Sequence, residues 1–298
     1  MFELGIDAAV QITGSHNPPE YNGFKLSHNK KPVFGKDILG KTDLLKAVDN
    51  VSFDVAKGKT FGLVGESGCG KSTFVNLIAG FDKVDTGSII MDGKEINKPG
   101  NDRMVVFQET ALIPWQTTID NITFGPLIRG EDKSTIKKDA ETLLEKVGLI
   151  EFKDKYPIQL SGGMQRRAEL ARAMINKPEV MIMDEPFRGL DAMSRELMQD
   201  FFVKLFEENR KTNIFVTSEI DEAIFLADRL VVLTNKPTKV RKIINIDLPR
   251  PRSFEMLRSK EAYDYKREAM ELLHEEAMKS FTSKDDVGNE FMKVYSNN

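Results

Sequence analysis

The nine residues GESGCGKST, from Gly65 to Thr73, restrict the chain to few folds. They match G-x-x-x-x-G-K-[ST], in which glycines bend a loop so that backbone N–H groups and a helix N-terminus converge on phosphate oxygens. Gly65, Glu66, Ser67, Gly68, Cys69 and Gly70 form the loop, Lys71 reaches the β- and γ-phosphates, the Ser72 hydroxyl helps hold Mg²⁺, and Thr73 completes the motif. The flanks supply the context this needs: TFGLVG reads as a buried strand before the loop and KSTFVNLIAG as a helix after it.

Two later stretches extend the chemistry. VMIMDEP, Val180 to Pro186, is apolar up to Met183 and then places Asp184 and Glu185 at the strand end, where open α/β sheets bind ligands. Beside a phosphate loop, Asp184 reaches Mg²⁺ through water, and Glu185 polarises the attacking water as general base. In LSGGMQRR, Leu160 to Arg167, Ser161 caps a helix while Gly162 and Gly163 let exposed N–H groups approach an anion. Met164, Ala168, Ala171 and Ile175 share one helical face, so the helix packs and its start stays open.

With these residues in order, the chain from about 43 to 250 resembles the nucleotide-binding domain of ABC transporters, an α/β P-loop NTPase fold with an inserted helical subdomain. The resemblance makes Gly65–Thr73 the Walker A loop, Leu160–Gln165 the signature motif and Val180–Glu185 the Walker B strand. It implies that Gln108, in VVFQET, senses Mg²⁺ and the attacking water, and that Asp191, in FRGLDA, is the D-loop aspartate. It also implies head-to-tail dimers with ATP between Walker A of one subunit and the signature helix of the other, so that Ser161, Gly162, Gly163 and Gln165 serve the partner's nucleotide.

A finer resemblance rests on ALIPWQTTIDNITFG, DEPFRGLDAMSRELM, DEAIFLADRLVVLTNKPTKV and DLPRPR, which are similar to the nitrate/sulfonate/taurine branch of importer ATPases. This implies a homodimer or heterodimer of ATPase subunits, peripheral on the cytoplasmic face of the membrane, with integral membrane permease subunits and a separate solute-binding protein as partners. The solute does not follow, because those partners select it. In LIPWQT the sole tryptophan, Trp115, either lines a groove that accepts a permease helix or packs inside the helical subdomain.

The chain departs from the family pattern at two places. After TNIFVT, where a histidine usually touches the γ-phosphate, it reads Ser218; the only histidines are His16, His28 and His274. A hydroxyl keeps a donor but loses reach and positive charge, and loss of one preorganised donor costs about 10²–10³ in rate. Slow hydrolysis and water-mediated action by Ser218 both remain open. Arg188 and Gly189 also stand where Ser and Ala are frequent in the family, and nothing about activity is drawn from them.

The opening residues, GIDAAVQITGSHNPPEYNGFKLSHNKKPVFGKDI, resemble instead the active-serine loop of phosphoglucomutase/phosphomannomutase enzymes, with the serine at Ser15. Phosphoryl relay needs a metal loop and a sugar-phosphate site that about 40 residues do not supply, and the D-G-D-x-D-R metal loop is absent. Residues 1–40 therefore read as a fusion, a rearrangement or an assembly error rather than a working domain. Phe34, 37 positions before Lys71, either stacks on adenine or is a loop side chain.

Composition excludes other classes. With 43 Lys+Arg against 46 Asp+Glu the chain carries no electrostatic footprint for nucleic acid. No apolar run approaches a membrane span, and the first residues carry no secretory signal. Cys69 is the only cysteine, which suits a reducing compartment; it is either reactive beside a helix start or fills a turn.

VSFDV, TFGLVG, GSIIMDG and MVVFQ read as strands, residues 112–177 as the helical subdomain, and IFVTS, RLVVLT and KIINIDL as a return to the sheet, completing a domain over 41–250. Residues 251–298 read as a helical extension packed on the core through Leu257, Met270, Leu273, Met278 and Phe281, with a frayed end. The expected function is ATP hydrolysis driving an importer. The alternatives are a hydrolysis-poor ATP-dependent gate and a soluble ABC-type protein acting away from membranes.

Overall fold

Five apolar segments with turn residues at both ends assemble into one parallel sheet, and that sheet positions everything else. The computed structural model describes residues 47–282 and four short strands before them, with no side-chain description for those strands, Asn209 or residues 280–282. Ser15, Phe34 and the tail beyond 282 lie outside the described residues. The early strands, β1 (Phe2–Leu4), β2 (Ala8–Ile12), β3 (Phe24–His28) and β4 (Lys31–Pro32), pair antiparallel in that order within a separate unit, Met1–Leu45.

The second unit, Lys46–Asn298, runs β5 (Thr60–Val64), α1 (Lys71–Ala79), β6 (Ile90–Met91), β7 (Lys94–Glu95) and β8 (Arg103–Val106). The helices α2 (Thr118–Ile128), α3 (Lys133–Lys146) and α4 (Gly162–Met174) follow, and then β9 (Val180–Asp184), α5 (Ala192–Asn209) and β10 (Thr212–Thr217). The chain continues through α6 (Ile220–Leu226), β11 (Arg229–Leu233), β12 (Val240–Asn245) and α7 (Lys260–Thr282). The main sheet has the order β12-β11-β5-β10-β9-β8, parallel except for the antiparallel edge strand β12.

Strand residues alternate between two apolar layers, as the two-residue period of a strand requires. On β9, Ile182 faces the layer of Phe61, Phe74 and Val75, while Met181 and Met183 face the layer of Phe187, Phe202 and Phe206. On β10, Ile214 and Val216 join the first layer and Phe215 the second. Both faces are covered by helices, so the strands read as continuous apolar runs.

Three strand expectations need correction. VSFDV forms no strand: Val51, Phe53 and Val55 turn inward against the core, but the segment has no ladder partner among the described residues, since β6 and β7 pair only with each other. GSIIMDG contributes only Ile90–Met91, because Asp92 and Gly93 take positive φ and turn the chain back into β7. In MVVFQ the strand ends at Val106, leaving Phe107 and Gln108 in an exposed connection.

The helical subdomain forms where the helical patterns lie. Asp132 caps α3, and Gly148 at φ 64° ends its terminal turn. Ile122, Ile136, Leu144, Ala168, Ala171 and Ile175 make its own core. Fully buried Asn121 ties down the loop that carries Trp115: Oδ1 accepts from Ile113 N at 2.7 Å, and Nδ2 donates to the carbonyls of Ile113, Gln116 and Thr117.

The extension beyond residue 250 is pinned by the arginines of DLPRPR. Arg250 bonds Asp228 and the Leu226 carbonyl and lies 4.6 Å over the Phe206 ring, while buried Arg252 donates to the Ile224 carbonyl at 2.7 Å. α7 then packs Ala262, Ala269, Leu272 and Leu273 on α6, β11 and β12. Met270, expected on this face, points to solvent; Phe281 has no described side chain.

Asn121→Ala leaves buried backbone groups of the 113–117 loop unpaired and is expected to lower stability by about 2 kcal/mol. The urea midpoint followed by Trp115 fluorescence checks this; an unchanged midpoint would show that the loop is not held by Asn121.

Candidate functional site

The sheet register gathers the sequence-predicted residues at one edge. Val216 of β10 pairs with Leu63 of β5 on one side and with Asp184 of β9 on the other. The phosphate loop after β5, the acidic pair ending β9 and the segment after β10 that carries Ser218 therefore leave the same, C-terminal edge of the sheet, where doubly wound folds bind ligands. Glu185 N donates to Val216 O at 2.8 Å and ties the last two together.

Glycine is required twice in the loop. Gly70 has φ 106°, and a Cβ on Gly65 would stand 2.6 Å from Cys69 Sγ. Cys69 is buried, its carbonyl accepts a hydrogen bond from the Thr238 hydroxyl, and burial pushes its thiol pKa up. The cysteine therefore fills the turn and is not a reactive thiol. Gly68 and Ser67 are exposed at the loop tip, and Gly70 supplies no side-chain cap, so the start of α1 has no side-chain acceptor of its own. An anion is the natural partner of such a start.

Lys71 is only 6 % exposed, and its ammonium donates to Gly65 O at 2.8 Å and Glu66 O at 3.0 Å. It also lies 3.8 Å from Glu185 Oε1. Ser72 Oγ donates to Asp184 Oδ2 at 2.9 Å. Asp184 and Glu185 are each 7 % exposed. Burial raises the Asp184 carboxyl above the ordinary aspartate range, against the Ser72 hydrogen bond. A buried carboxylate beside a hydroxyl is a hard-oxygen donor set that fits Mg²⁺.

The signature turn lies on another element. Ser161 caps α4 by accepting from Met164 N at 3.3 Å; it is exposed, and a Cβ on Gly163 would meet nothing within 4 Å. α4 packs on α2, α3, α5 and β8, whereas α1 packs on β8 and β9. Among the described residues no hydrogen bond joins the signature turn to the phosphate loop. Gln165 points inward: Nε2 donates to Pro157 O and Leu160 O, and Oε1 accepts from Thr110. Asp191 caps α5 by accepting from Ser194 N at 3.0 Å, and hydrogen bonds from Ser194 hold its carboxyl below the usual range.

Sequence reasoning missed a clasp between the Gln108 segment and α4. Buried Arg166 donates to the carbonyls of Phe107 and Gln108 and pairs with Glu169, whose Oε1 accepts from Ala111 N at 3.1 Å. Arg172 completes it on the Ala111 carbonyl. The i,i+3 spacing of Arg166 and Glu169 is visible in the sequence; their target lies 58–59 residues away and is not. Gln108 itself is held by its carbonyl, with its side chain exposed.

Under the Ser218 segment sits Glu222, buried and bonded to Gln199 at 3.2 Å, with its pKa pushed up to about 7 mainly by burial. Because the folded value exceeds the ordinary glutamate value, the contribution is fully present below about pH 4.5 and is lost as pH rises through about 7. Glu222→Gln removes this dependence, so the melting temperature of the variant is expected to gain on the parent as pH rises from 4.5 to 8. Parallel curves would contradict a buried, proton-binding Glu222.

Comparison with known proteins agrees with this geometry. Residues 48–188 match the ABC transporter family model, and residues 1–41 match phosphoglucomutase/phosphomannomutase, alpha/beta/alpha domain I. The chain is 41 % identical over 247 residues to the nitrate import ATP-binding protein of Synechococcus elongatus, covering 80 % of this chain and 90 % of the relative. It is 42 % identical over 234 residues to a bicarbonate transport ATP-binding protein of the same organism (76 % and 83 % covered). With the taurine import ATP-binding protein of Roseobacter denitrificans it shares 42 % over 204 residues (68 % and 76 %). A dimeric ATP-binding cassette solved in a post-hydrolysis state with ADP and phosphate superposes with TM-score 0.60 at 30 % identity, covering 70 % of this chain and 96 % of that one. With 41 % identity across 80 % of its length to one such relative, and with the phosphate loop and the acidic pair at one edge of its sheet, the chain belongs to the ATP-binding proteins of ABC transporters.

Proposed function

We propose that this chain is the energising subunit of an importer, hydrolysing ATP between two copies, or between itself and a related ATPase subunit, to drive a membrane permease. The observation that carries the reading is the convergence of Lys71, Ser72, Asp184 and Glu185 at the end of β5 and β9, with the signature turn of Ser161 left open elsewhere. A phosphate arriving at the loop takes over the Lys71 ammonium from the Gly65 and Glu66 carbonyls. Ser72 and Asp184 would hold Mg²⁺, with the exposed Gln108 just beyond the end of β8, whose Val106 pairs with Met183 of β9. When bound, the ion neutralises charge on the β- and γ-phosphates. Glu185 orients water and accepts its proton as the γ-phosphate is cleaved.

The open start of α4, capped by Ser161 with Gly162 and Gly163 unencumbered, then serves the nucleotide of a second subunit. ATP joins two chains, and cleavage releases them. Exposed Trp115 supports permease docking over internal packing: it is 77 % exposed and, with Phe124, Leu127, Ile128 and Tyr156, lines a surface cavity of about 340 Å³. No helix among the described residues is long and apolar enough to cross a membrane. In this reading the chain attaches to the permease at its cytoplasmic face. A separate solute-binding protein completes the importer. The relatives' names place them in nitrate, bicarbonate and taurine import; the solute of this importer is set by its permease and solute-binding protein. A slower, gate-like engine is the second reading, favoured by the exposed Ser218 hydroxyl.

Glu185→Gln is expected to lower Mg-ATP turnover by about 10²–10³-fold while ATP still binds. Turnover assays beside equilibrium binding of ATP check this, and a Gln variant that hydrolyses at the parental rate would remove Glu185 from the mechanism.

A further inference from the structure

The turn after β9 places a second cation at the phosphate end. Glu185 stands at φ 44°, Pro186 follows with its restricted φ, and Arg188 N donates to Glu185 O at 3.1 Å. The turn folds the Arg188 side chain back over the acidic pair, and its Nη1 donates to Glu185 Oε2 at 2.7 Å. The pair is asymmetric: the Glu185 side chain is 9 % exposed and that of Arg188 57 %. Glu185 Oε1 faces Lys71 at 3.8 Å while Oε2 holds Arg188, so the carboxylate lies between an ammonium that binds phosphate and a guanidinium open to solvent.

Charge makes this arrangement consequential. Asp184 and Glu185 are two buried carboxylates against one buried ammonium, and a γ-phosphate adds negative charge beside them. Ser218, at the end of the strand between β5 and β9, offers only a hydroxyl. A guanidinium has five donors in a planar fork, enough to keep a carboxylate and take a phosphate oxygen together.

Resting on the reading of Glu185 as general base, we propose that Arg188 bridges Glu185 to the γ-phosphate of ATP, holding the base in place and supplying the positive charge that Ser218 lacks. Its hydrogen bond at the acidic strand end is to Glu185, and with ATP bound its remaining donors reach the terminal phosphate. ADP, which lacks that phosphate, gains nothing from it.

The test uses the full chain with Arg188→Ala, Arg188→Lys, Ser218→His, Glu185→Gln and the double variants. Arg188→Ala is expected to lower turnover by about 10²–10³-fold, with Arg188→Lys between it and the parent. Ser218→His in the Arg188→Ala background should restore turnover by a larger factor than it raises the parent. The restored rate should fall as pH rises through the ordinary imidazole value of about 6.5, a limb the parent does not show. In Glu185→Gln, where ATP persists, adding Arg188→Ala should weaken ATP by about tenfold and leave ADP at its original affinity. Parental turnover in Arg188→Ala with Glu185→Gln inactive would overturn the inference and leave the general-base reading standing. Equal gains from Ser218→His in both backgrounds, or a parent without turnover, would also overturn it. Turnover retained in Glu185→Gln would overturn the general-base reading, and the inference with it.

Discussion

Lys71, facing Asp184 and Glu185 across the C-terminal edge of a parallel sheet, is the contact on which the rest of the structure depends. All three side chains are nearly out of water, which is tolerable only because the ammonium sits on two loop carbonyls and Asp184 accepts from Ser72. That edge exists because β10 lies between β5 and β9 in matched register, with Val216 paired to both neighbours. The alternation of Ile182 and Met183, or Val216 and Phe215, between two apolar layers fixes the register, since a slip of one residue would invert every side chain. Packing thus sets the position of the charges.

The same arrangement makes the chain responsive to its ligand. The lysine is held by its own loop and the aspartate by the Ser72 hydroxyl, so that on the proposed reading both can exchange these partners for phosphate and a divalent cation. The clasp of Arg166, Glu169 and Arg172 on residues 107–111 then gives the helical subdomain a hold on the segment that contains Gln108. The segment that contains Gln108 is thereby bonded to α4, and the residues that follow it, which carry Trp115, are bonded to Asn121. Sites on the sheet edge and on the helical subdomain are in this way joined by side-chain hydrogen bonds as well as by the chain.

Much of this is legible in the sequence where local rules decide it. The Gly-rich loop, the apolar run ending in Asp184 and Glu185, and the Ser161 cap each declare their conformation within a few residues, and each forms as read. Legibility fails where tertiary pairing decides. VSFDV has the alternation of a strand and turns its apolar side chains inward, yet its ladder partner is a matter of the whole fold. Gln165 reads as part of an anion-binding turn, but carbonyls of residues 157 and 160 claim its amide. Arg188 is silent in sequence because its meaning comes from the turn at Glu185 that folds it back. Trp115 is ambiguous for the same reason: an apolar residue in a loop is buried or displayed according to what Asn121 does with the backbone around it.

In the proposed importer one ATP is held by the phosphate loop of one chain and the signature turn of another. Two defective chains test it directly: Lys71→Ala, with a damaged loop and an intact turn, and Ser161→Arg, with an intact loop and a blocked turn. Mg-ATP turnover measured for each alone and for their mixture, at protein concentrations that favour pairing, is predicted to be negligible for either variant and to reappear in the mixture, where one composite site is whole. A mixture as inactive as its components, with both variants folded, would contradict the shared site.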